Sequence, residues 1–184
     1  EPLGISFLGP LGSFTGSAAT KHFGHAANLL PQASIDDVFR AVESGHAHYA
    51  VVPVENSTEG AVGRTMDLLL GTPLKICGEV VLRIHQNLLT HETDLSKITK
   101  IYSHAQSLAQ CHEWLNRNLP GIPRISVSSN SLAAQMAAEE PGVAAIAGVA
   151  AAERYKLPKL VENIEDEPNN TTRFLVLGKH DAAI

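Results

Sequence analysis

Residues 75–91, KICGEVVLRIHQNLLTH, form one long β-rich segment near the middle of the chain that leaves no room for a helix. The apolar and β-branched residues of this segment favour strands. On either side of it, short β-rich segments alternate with Ala-rich segments, a pattern typical of α/β proteins. Because the alternation stops here and resumes afterwards, the segment predicts two sheets, with the chain crossing from one to the other.

The alternation also predicts where individual elements lie. Strands are expected at residues 4–8, 27–30, 48–54, 100–103, 125–127, 143–147, 160–164 and 173–177. Helices are expected to begin near Ser13, after Ser34 and after Gly60, and to cover residues 105–116, 131–140 and the stretch that ends at Tyr155. The polar residues 165–171 predict a loop before the last strand.

The clearest helix signal surrounds Ser34. A serine at this position is a favourable N-cap, and two acidic residues follow it in the first turn. The apolar residues Val38, Phe39 and Val42 have helical spacing and predict a buried face.

Strands that alternate with helices predict mainly parallel sheets. The first lobe is expected to contain residues 1–75 together with 166–184, because the polar loop returns the last strand to it. Residues 76–165 are expected to form the second lobe. The fold class is therefore α/β, with two lobes and a cleft between them, like a two-lobed periplasmic solute-binding protein.

Composition excludes several classes of function. Fourteen basic residues against nineteen acidic ones give a net charge of −5, with no basic cluster, which argues against nucleic-acid binding. The sequence has no apolar segment of membrane-spanning length and no signal peptide, so we expect a cytoplasmic protein without a membrane partner. Two cysteines do not make a disulfide framework. The histidine pairs His22/His25 and His46/His48 lack Cys or carboxylate partners at ligand spacing, so no metal site is expected.

Five polar segments lie at the ends of predicted strands. They are GPLGSF (9–14), PVENSTEG (53–60), SHAQS (103–107), SSNS (128–131) and NNTTRF (169–174). Each alone is compatible with ordinary helix capping. Because ligands of parallel sheets bind beyond the carboxyl ends of the strands, the five together predict a site lined by Ser, Asn, Gln and Thr. Arg173 is its clearest cation, and the ligand is expected to be a small anion.

The segments GPLGSF, VPVENSTEG, SHAQSLAQC and NNTTRF, in this order, resemble the motif set of prephenate dehydratases. The resemblance covers nearly the whole chain, from Gly9 to Phe174. It implies a lyase that converts prephenate, a dianion, to phenylpyruvate, carbon dioxide and water in phenylalanine biosynthesis. It also implies that no cofactor is needed, and the absence of a GxGxxG fingerprint agrees.

The resemblance also suggests individual roles. Thr172 carries over as the essential catalytic residue, and Asn56 and Gln106 carry over as substrate-site residues. Arg173 is a second catalytic candidate, since it could raise the donor strength of Thr172 or bind the pyruvyl carboxylate. The remaining candidates for substrate binding come from the same polar segments: Ser13, Glu55, Ser57, Ser103, His104, Ser129, Asn170 and Phe174.

Three of these roles have open alternatives. A Thr hydroxyl is far too weak an acid to match neutral pH, so Thr172 is expected to be a positioned hydrogen-bond donor. His104 is either a proton relay or a residue that caps a helix start. Glu55 either holds the loop at Asn56 or contacts the substrate.

The resemblance further implies a homodimer joined to a chorismate mutase, a regulatory domain or both. A chain that begins at Glu1 and continues only seven residues past Leu177 is expected to be an excised core without the phenylalanine-sensing domain. Two alternative functions remain. One is arogenate dehydratase, whose substrate carries an ammonium group. The other is a two-lobed protein that binds a small anion and does no chemistry.

Overall fold

The computed structural model describes residues 2–180, which form two compact units. Unit 1 contains residues 2–10, 14–83 and 170–180, and unit 2 contains residues 11–13 and 84–169. The chain therefore enters unit 2 after Arg83, whereas the sequence predicted a boundary after Lys75. Glu1 and residues 181–184, which the sequence assigned to the first lobe, lie outside the described residues. A cleft between the lobes stays a prediction.

Unit 1 is built on a six-stranded sheet. Its strands are β1 (Gly4–Leu8), β2 (Asn28–Gln32), β3 (Tyr49–Asn56), β4 (Gly60–Ala61), β5 (Lys75–Arg83) and β11 (Thr171–Gly178). Its helices are α1 (Phe14–Phe23), α2 (Ile35–Glu43) and α3 (Gly63–Gly71). The strand order is β2-β1-β3-β11-β5, and β4 pairs with β3. β5 pairs with β11 from Lys75 to Arg83, with one register shift, which explains why the unit extends to Arg83.

The expectation of mainly parallel sheets is wrong. In unit 1, β1 is parallel to β2 and β3, but β11 is antiparallel to both β3 and β5. The reason is the connection: β1, β2 and β3 are joined through helices, whereas β11 arrives from the return of the chain out of unit 2. The sheet is therefore mixed.

Helix α2 confirms the prediction made around Ser34. The Ser34 hydroxyl accepts the backbone N–H of Asp37 over 3.1 Å, as an N-cap residue does. Val38 and Val42 are fully buried and Phe39 is nearly so. They pack in one hydrophobic cluster with residues of β3 and β11, so this helix covers one face of the sheet.

Unit 2 contains a five-stranded sheet. Its strands are β6 (Asn87–Leu89), β7 (Lys100–Ser103), β8 (Arg124–Ser126), β9 (Val143–Ala147) and β10 (Lys159–Val161), in the order β10-β6-β9-β7-β8. Its helices are α4 (Ala105–Gln110), α5 (His112–Asn118), α6 (Asn130–Glu139) and α7 (Val149–Tyr155), with one 3₁₀ turn at Leu95–Lys97. Here too the sheet is mixed, because β6 is antiparallel to both of its neighbours.

The single helix predicted over residues 105–116 is two helices that meet at Cys111. The Asp166 carboxylate accepts the backbone N–H groups of Glu113 and Trp114, over 2.9 and 3.1 Å. These bonds satisfy donors that a new helix start leaves open. The Cys111 thiol is buried at the junction, and burial, followed by the charges of Asp166 and Glu165, raises its pKa. None of the helices described in residues 2–180 has the length and apolar character needed to cross a membrane.

Candidate active site

The pairing of β3 with β11 places Asn56 directly opposite Thr172. The Asn56 Nδ2 donates to Thr172 Oγ1 over 2.7 Å. The Asn56 Oδ1 accepts the backbone N–H groups of Thr58 and Glu59, over 2.9 and 3.1 Å, and the Thr58 hydroxyl over 2.7 Å. Because backbone N–H groups can only donate, the amide oxygen must face them. The amide nitrogen must therefore face Thr172.

A second set of bonds closes the same end of the strand pair. Ser57 donates its backbone N–H to the carbonyl of Thr171 over 2.9 Å. Its hydroxyl accepts the Thr171 N–H over 2.9 Å and donates to Asn170 Oδ1 over 3.1 Å. Asn170 is 2% exposed, and its Nδ2 is buried without a hydrogen-bond partner among the described residues. Asn56 and Ser57, at the end of β3, therefore hold Thr172 and the two residues that precede it.

Arg173 does not join this group. Successive residues of a strand face opposite sides of the sheet. Thr172 and Phe174 are accordingly buried, while the side chain of Arg173 is 53% exposed on the other face. There Arg173 Nε lies 2.6 Å from Glu79 Oε1, and Nη1 lies 3.8 Å from Glu55 Oε1. Glu55 thus pairs with Arg173, and neither group lies on the Thr172 face.

The polar segment after β7 belongs to unit 2. Ser103 is fully buried, and its hydroxyl lies 2.9 Å from Asn130 Oδ1 and 2.8 Å from the carbonyl of Ile146. His104 is the N-cap residue of α4, and its Nδ1 accepts the backbone N–H of Gln106 over 3.2 Å. The helix-capping alternative for His104 therefore describes its contact in the structure. The side chain of Gln106 is exposed.

The segments around Ser13 and Ser129 also meet within unit 2. Ser129 is the N-cap residue of α6, and its hydroxyl accepts the Leu132 N–H over 3.0 Å. The next serine, Ser131, donates to the carbonyl of Leu11 over 2.7 Å. This bond attaches the GPLGS loop, which ends at the half-buried Ser13, to the start of α6.

Four polar residues of unit 2 were not chosen from the sequence. Gln86 is 1% exposed, and its Nε2 donates to Ser107 Oγ and to Gln110 Oε1, each over 3.1 Å. Asn130 Nδ2 donates to the same Ser107 oxygen over 2.8 Å. Gln86 lies inside the long β-rich segment, and a glutamine among apolar residues is a signal that could have identified it. Ser107, Gln110 and Asn130 stand within or beside the quoted motifs, but nothing in their spacing distinguished them.

Known proteins resemble this chain over nearly all of its length. The family model described as prephenate dehydratase matches residues 5–182. The bifunctional chorismate mutase/prephenate dehydratase of Neisseria gonorrhoeae is 59% identical over an alignment 184 residues long, which covers 98% of this chain and 51% of that protein. The chain spans about half the length of the most similar curated relatives that it matches.

Solved structures agree with this family. The crystal structure of the Arthrobacter aurescens prephenate dehydratase in complex with L-Phe has a TM-score of 0.89 and 33% identity, and the match covers 98% of this chain and 61% of that one. A periplasmic substrate-binding protein from Coxiella burnetii shares the fold alone, with a TM-score of 0.51 and 10% identity over 97% of this chain and 85% of that one. The predicted α/β class and its likeness to solute-binding proteins are confirmed. With the family model matched over residues 5–182, the chain belongs to the prephenate dehydratase family.

Proposed function

We propose that this chain catalyses the decarboxylating dehydration of prephenate to phenylpyruvate, carbon dioxide and water, as a carbon–oxygen lyase of phenylalanine biosynthesis. The observation that carries the proposal is the hydrogen bond from Asn56 Nδ2 to Thr172 Oγ1. The family model supports it as well, because the match covers almost the whole of this chain.

The reaction needs little from the protein beyond binding and one proton. The bond between the ring and the leaving carboxylate breaks, and its electron pair moves into the ring. The ring hydroxyl leaves with the electrons of its C–O bond and takes up a proton to become water. Because the ring becomes aromatic, no electron acceptor is required. The protein must orient the dianion and donate a hydrogen bond or a proton to the departing hydroxyl.

The bonding around Thr172 supports its role as that donor. Since Thr172 Oγ1 accepts from Asn56, its own hydrogen is available for a different acceptor. Thr172 as a residue is 9% exposed and lies on a strand, so the position of its hydroxyl is well defined. A Thr hydroxyl is too weak an acid to be the source of the proton at neutral pH. Thr172 therefore stabilises the leaving hydroxyl by a hydrogen bond, and water supplies the proton.

His104 is a candidate donor to a substrate carboxylate. Its Nδ1 accepts the Gln106 N–H, so in the neutral imidazole the hydrogen is on Nε2. Ser13, Ser103, Gln106, Ser129 and Asn170 remain proposed substrate-site residues. For Arg173 and Glu55, the ion pair on the opposite face supports a role in holding strand ends rather than in contact with the reacting groups.

We also propose a cytoplasmic homodimer in which this catalytic segment is continuous with a chorismate mutase or a regulatory domain. The names of the bifunctional relatives support the fusion. Light scattering of the purified full-length protein tests the dimer, and a monomer at working concentration would contradict it.

The assay for the proposed activity incubates the chain with prephenate and follows phenylpyruvate absorbance, with arogenate in a parallel reaction. We expect product from prephenate. Thr172→Val replaces the hydroxyl with a methyl group of similar size and should lower kcat by about 100-fold or more, while Thr172→Ser should retain most of it. Product from arogenate alone would identify the substrate as arogenate. Binding of prephenate without any turnover would show a binding protein instead.

A further inference from the structure

We propose that Asn130 is a positioning residue whose carboxamide fixes His104 so that the imidazole presents its Nε2–H to the substrate. The proposal rests on the proposed function, since it assigns to His104 a donor role in that reaction. Asn130 is the first residue of α6, and a polar residue there is ordinarily explained as part of a helix start. Its contacts go further than that explanation requires.

The carboxamide of Asn130 joins three positions of the SHAQS segment. Its Oδ1 accepts the His104 backbone N–H over 2.9 Å and lies 2.9 Å from the Ser103 hydroxyl. Its Nδ2 donates to Ser107 Oγ over 2.8 Å. Because the His104 N–H can only donate, the amide oxygen must face His104 and the nitrogen must face Ser107.

The far side of this contact is anchored as well. Ser107 is 5% exposed, and its hydroxyl oxygen also accepts from Gln86 Nε2 over 3.1 Å. Gln86 in turn donates its backbone N–H to Glu165 Oε1 over 2.7 Å. The side chain of Glu165 is 3% exposed. Asn130 thus connects the His104 backbone to a series of buried, hydrogen-bonded side chains.

The backbone of His104 then determines its ring. His104 has extended φ and ψ angles of −66° and 146°, and this backbone fixes the direction of the Cα–Cβ bond from which the imidazole reaches the start of α4. There Nδ1 accepts the Gln106 N–H, and the neutral ring carries its hydrogen on Nε2. If Asn130 were shortened, the His104 N–H would lose its acceptor. The His104 backbone could then move away from Gln106, which would weaken the Nδ1 bond that holds the ring to one tautomer and one orientation.

Three variants test the proposal. Asn130→Ala removes the carboxamide. Asn130→Asp keeps an acceptor for the His104 N–H, and the Ser107 hydroxyl can rotate to donate to its second oxygen. Asn116→Ala is the matched control, because Asn116 also bonds at both ends of its amide, to Arg124 and His112, within the same unit.

The measurements are amide hydrogen exchange at His104, the ¹⁵N shifts of its ring, and KM and kcat for prephenate. For Asn130→Ala we expect exchange about tenfold faster, mixed tautomers, and a KM raised about tenfold with kcat within about threefold of wild type. Asn130→Asp should restore slow exchange and the Nε2–H tautomer, and Asn116→Ala should match wild type throughout.

Unchanged exchange and an unchanged tautomer in Asn130→Ala would overturn the proposal, and so would a loss confined to thermal stability with normal KM. If Asn130→Ala fails to fold, the Asn130→Asp variant decides. Fast exchange of the His104 amide in folded Asn130→Asp would also overturn the proposal. The NMR measurements need no turnover. A wild-type protein that does not convert prephenate would therefore contradict the proposed function while still giving a separate result for Asn130.

Discussion

The side-chain amide of Asn56 donates to the hydroxyl of Thr172 over 2.7 Å, while its oxygen accepts the N–H groups of Thr58 and Glu59. The turn that follows β3 therefore sets the direction of a hydrogen bond to β11. With the amide in this sense, Thr172 is an acceptor toward Asn56 and keeps its own hydrogen for another partner.

Replacing Asn56 with Asp should reverse that direction without changing the shape of the side chain. One carboxylate oxygen would keep the turn, and the other would accept the Thr172 hydrogen, which would no longer reach the substrate. We expect kcat to fall by about 100-fold, with the folded structure retained. Steady-state kinetics and circular dichroism provide the measurement. Asn116→Asp, far along the chain in α5, controls for the added charge, and a kcat within twofold of wild type in Asn56→Asp would exclude the donor role of Thr172.

Substitutions of Arg173 and Thr172 should have different effects on kcat, although the two residues are adjacent in sequence. Arg173 lies on the opposite face of β11 and pairs with Glu79 at 53% and 50% side-chain exposure. An ion pair this exposed contributes at most about 1 kcal/mol, and salt screens it. Arg173→Ala should therefore lower kcat far less than Thr172→Val, and a double-mutant cycle with Glu79→Ala should give a small coupling that shrinks in high salt. Equal losses of kcat for the two single variants would place Arg173 in the reaction instead.

Gly12 should resist substitution more than a glycine with the same backbone angle elsewhere. Its φ is +87°, and an added Cβ would lie 3.1 Å from Ser131 Oγ and 3.4 Å from Ala151 Cα. Gly24 has a φ of +83° with nothing within 4 Å of its Cβ position. Gly24→Ala should cost roughly 1 kcal/mol of unfolding free energy from the left-handed backbone alone, and Gly12→Ala about 1 kcal/mol more from packing. Urea unfolding compares the two variants. Equal losses of unfolding free energy would show that the loop around Gly12 accommodates the added methyl group without a packing cost.

The ion pair between Asp36 and Arg64 should make stability depend on pH. Arg64 donates to the Asp36 carboxylate from both Nε and Nη2, and this hydrogen bonding lowers the pKa of Asp36 below its ordinary value. A lowered folded-state pKa contributes stability above the unfolded-state pKa, and that contribution disappears as the pH falls through the folded one. Wild type should therefore have a higher Tm than Asp36→Asn at neutral pH, and the difference should vanish in acid.

The Arg64→Gln background provides the control for this prediction. There Asp36 has lost its partner, so Asp36→Asn should change the Tm much less and with weaker pH dependence. A Tm difference that persists at the acid end would contradict the linkage.

Much of the fold could be predicted because its signals are local. Strands β7 and β9 begin and end where their sequences predict, and α2 follows from one N-cap serine and three apolar residues. The direction of β11 is not local information, since the alternation of strands and helices identifies elements but not their partners. The break at Cys111 depends on Asp166, more than fifty residues away in sequence, and no helix pattern contains that contact.

The candidate site divides in the same way. Asn56 and Thr172 could be named from their motifs, whereas the hydrogen bond between them required the register of β3 and β11. The separation of Arg173 from Thr172 could have been foreseen, because neighbours in a strand point to opposite faces. Asn130 could not, because its partners lie in other segments and its own neighbours are serines that cap and anchor the same helix.

The central place of β11 in its sheet has a consequence for synthesis on the ribosome. Among the described strands β11 is translated last, yet it lies between β3 and β5, which are made long before it. From Arg83 to Thr171 the chain grows by 88 residues (171 − 83), which takes roughly 4 to 18 s at typical translation rates. Throughout that interval β3 and β5 lack their shared partner, and unpaired strand edges attract other chains. The nascent chain, rather than the finished protein, is therefore where this fold is most open to misassembly and most dependent on chaperones.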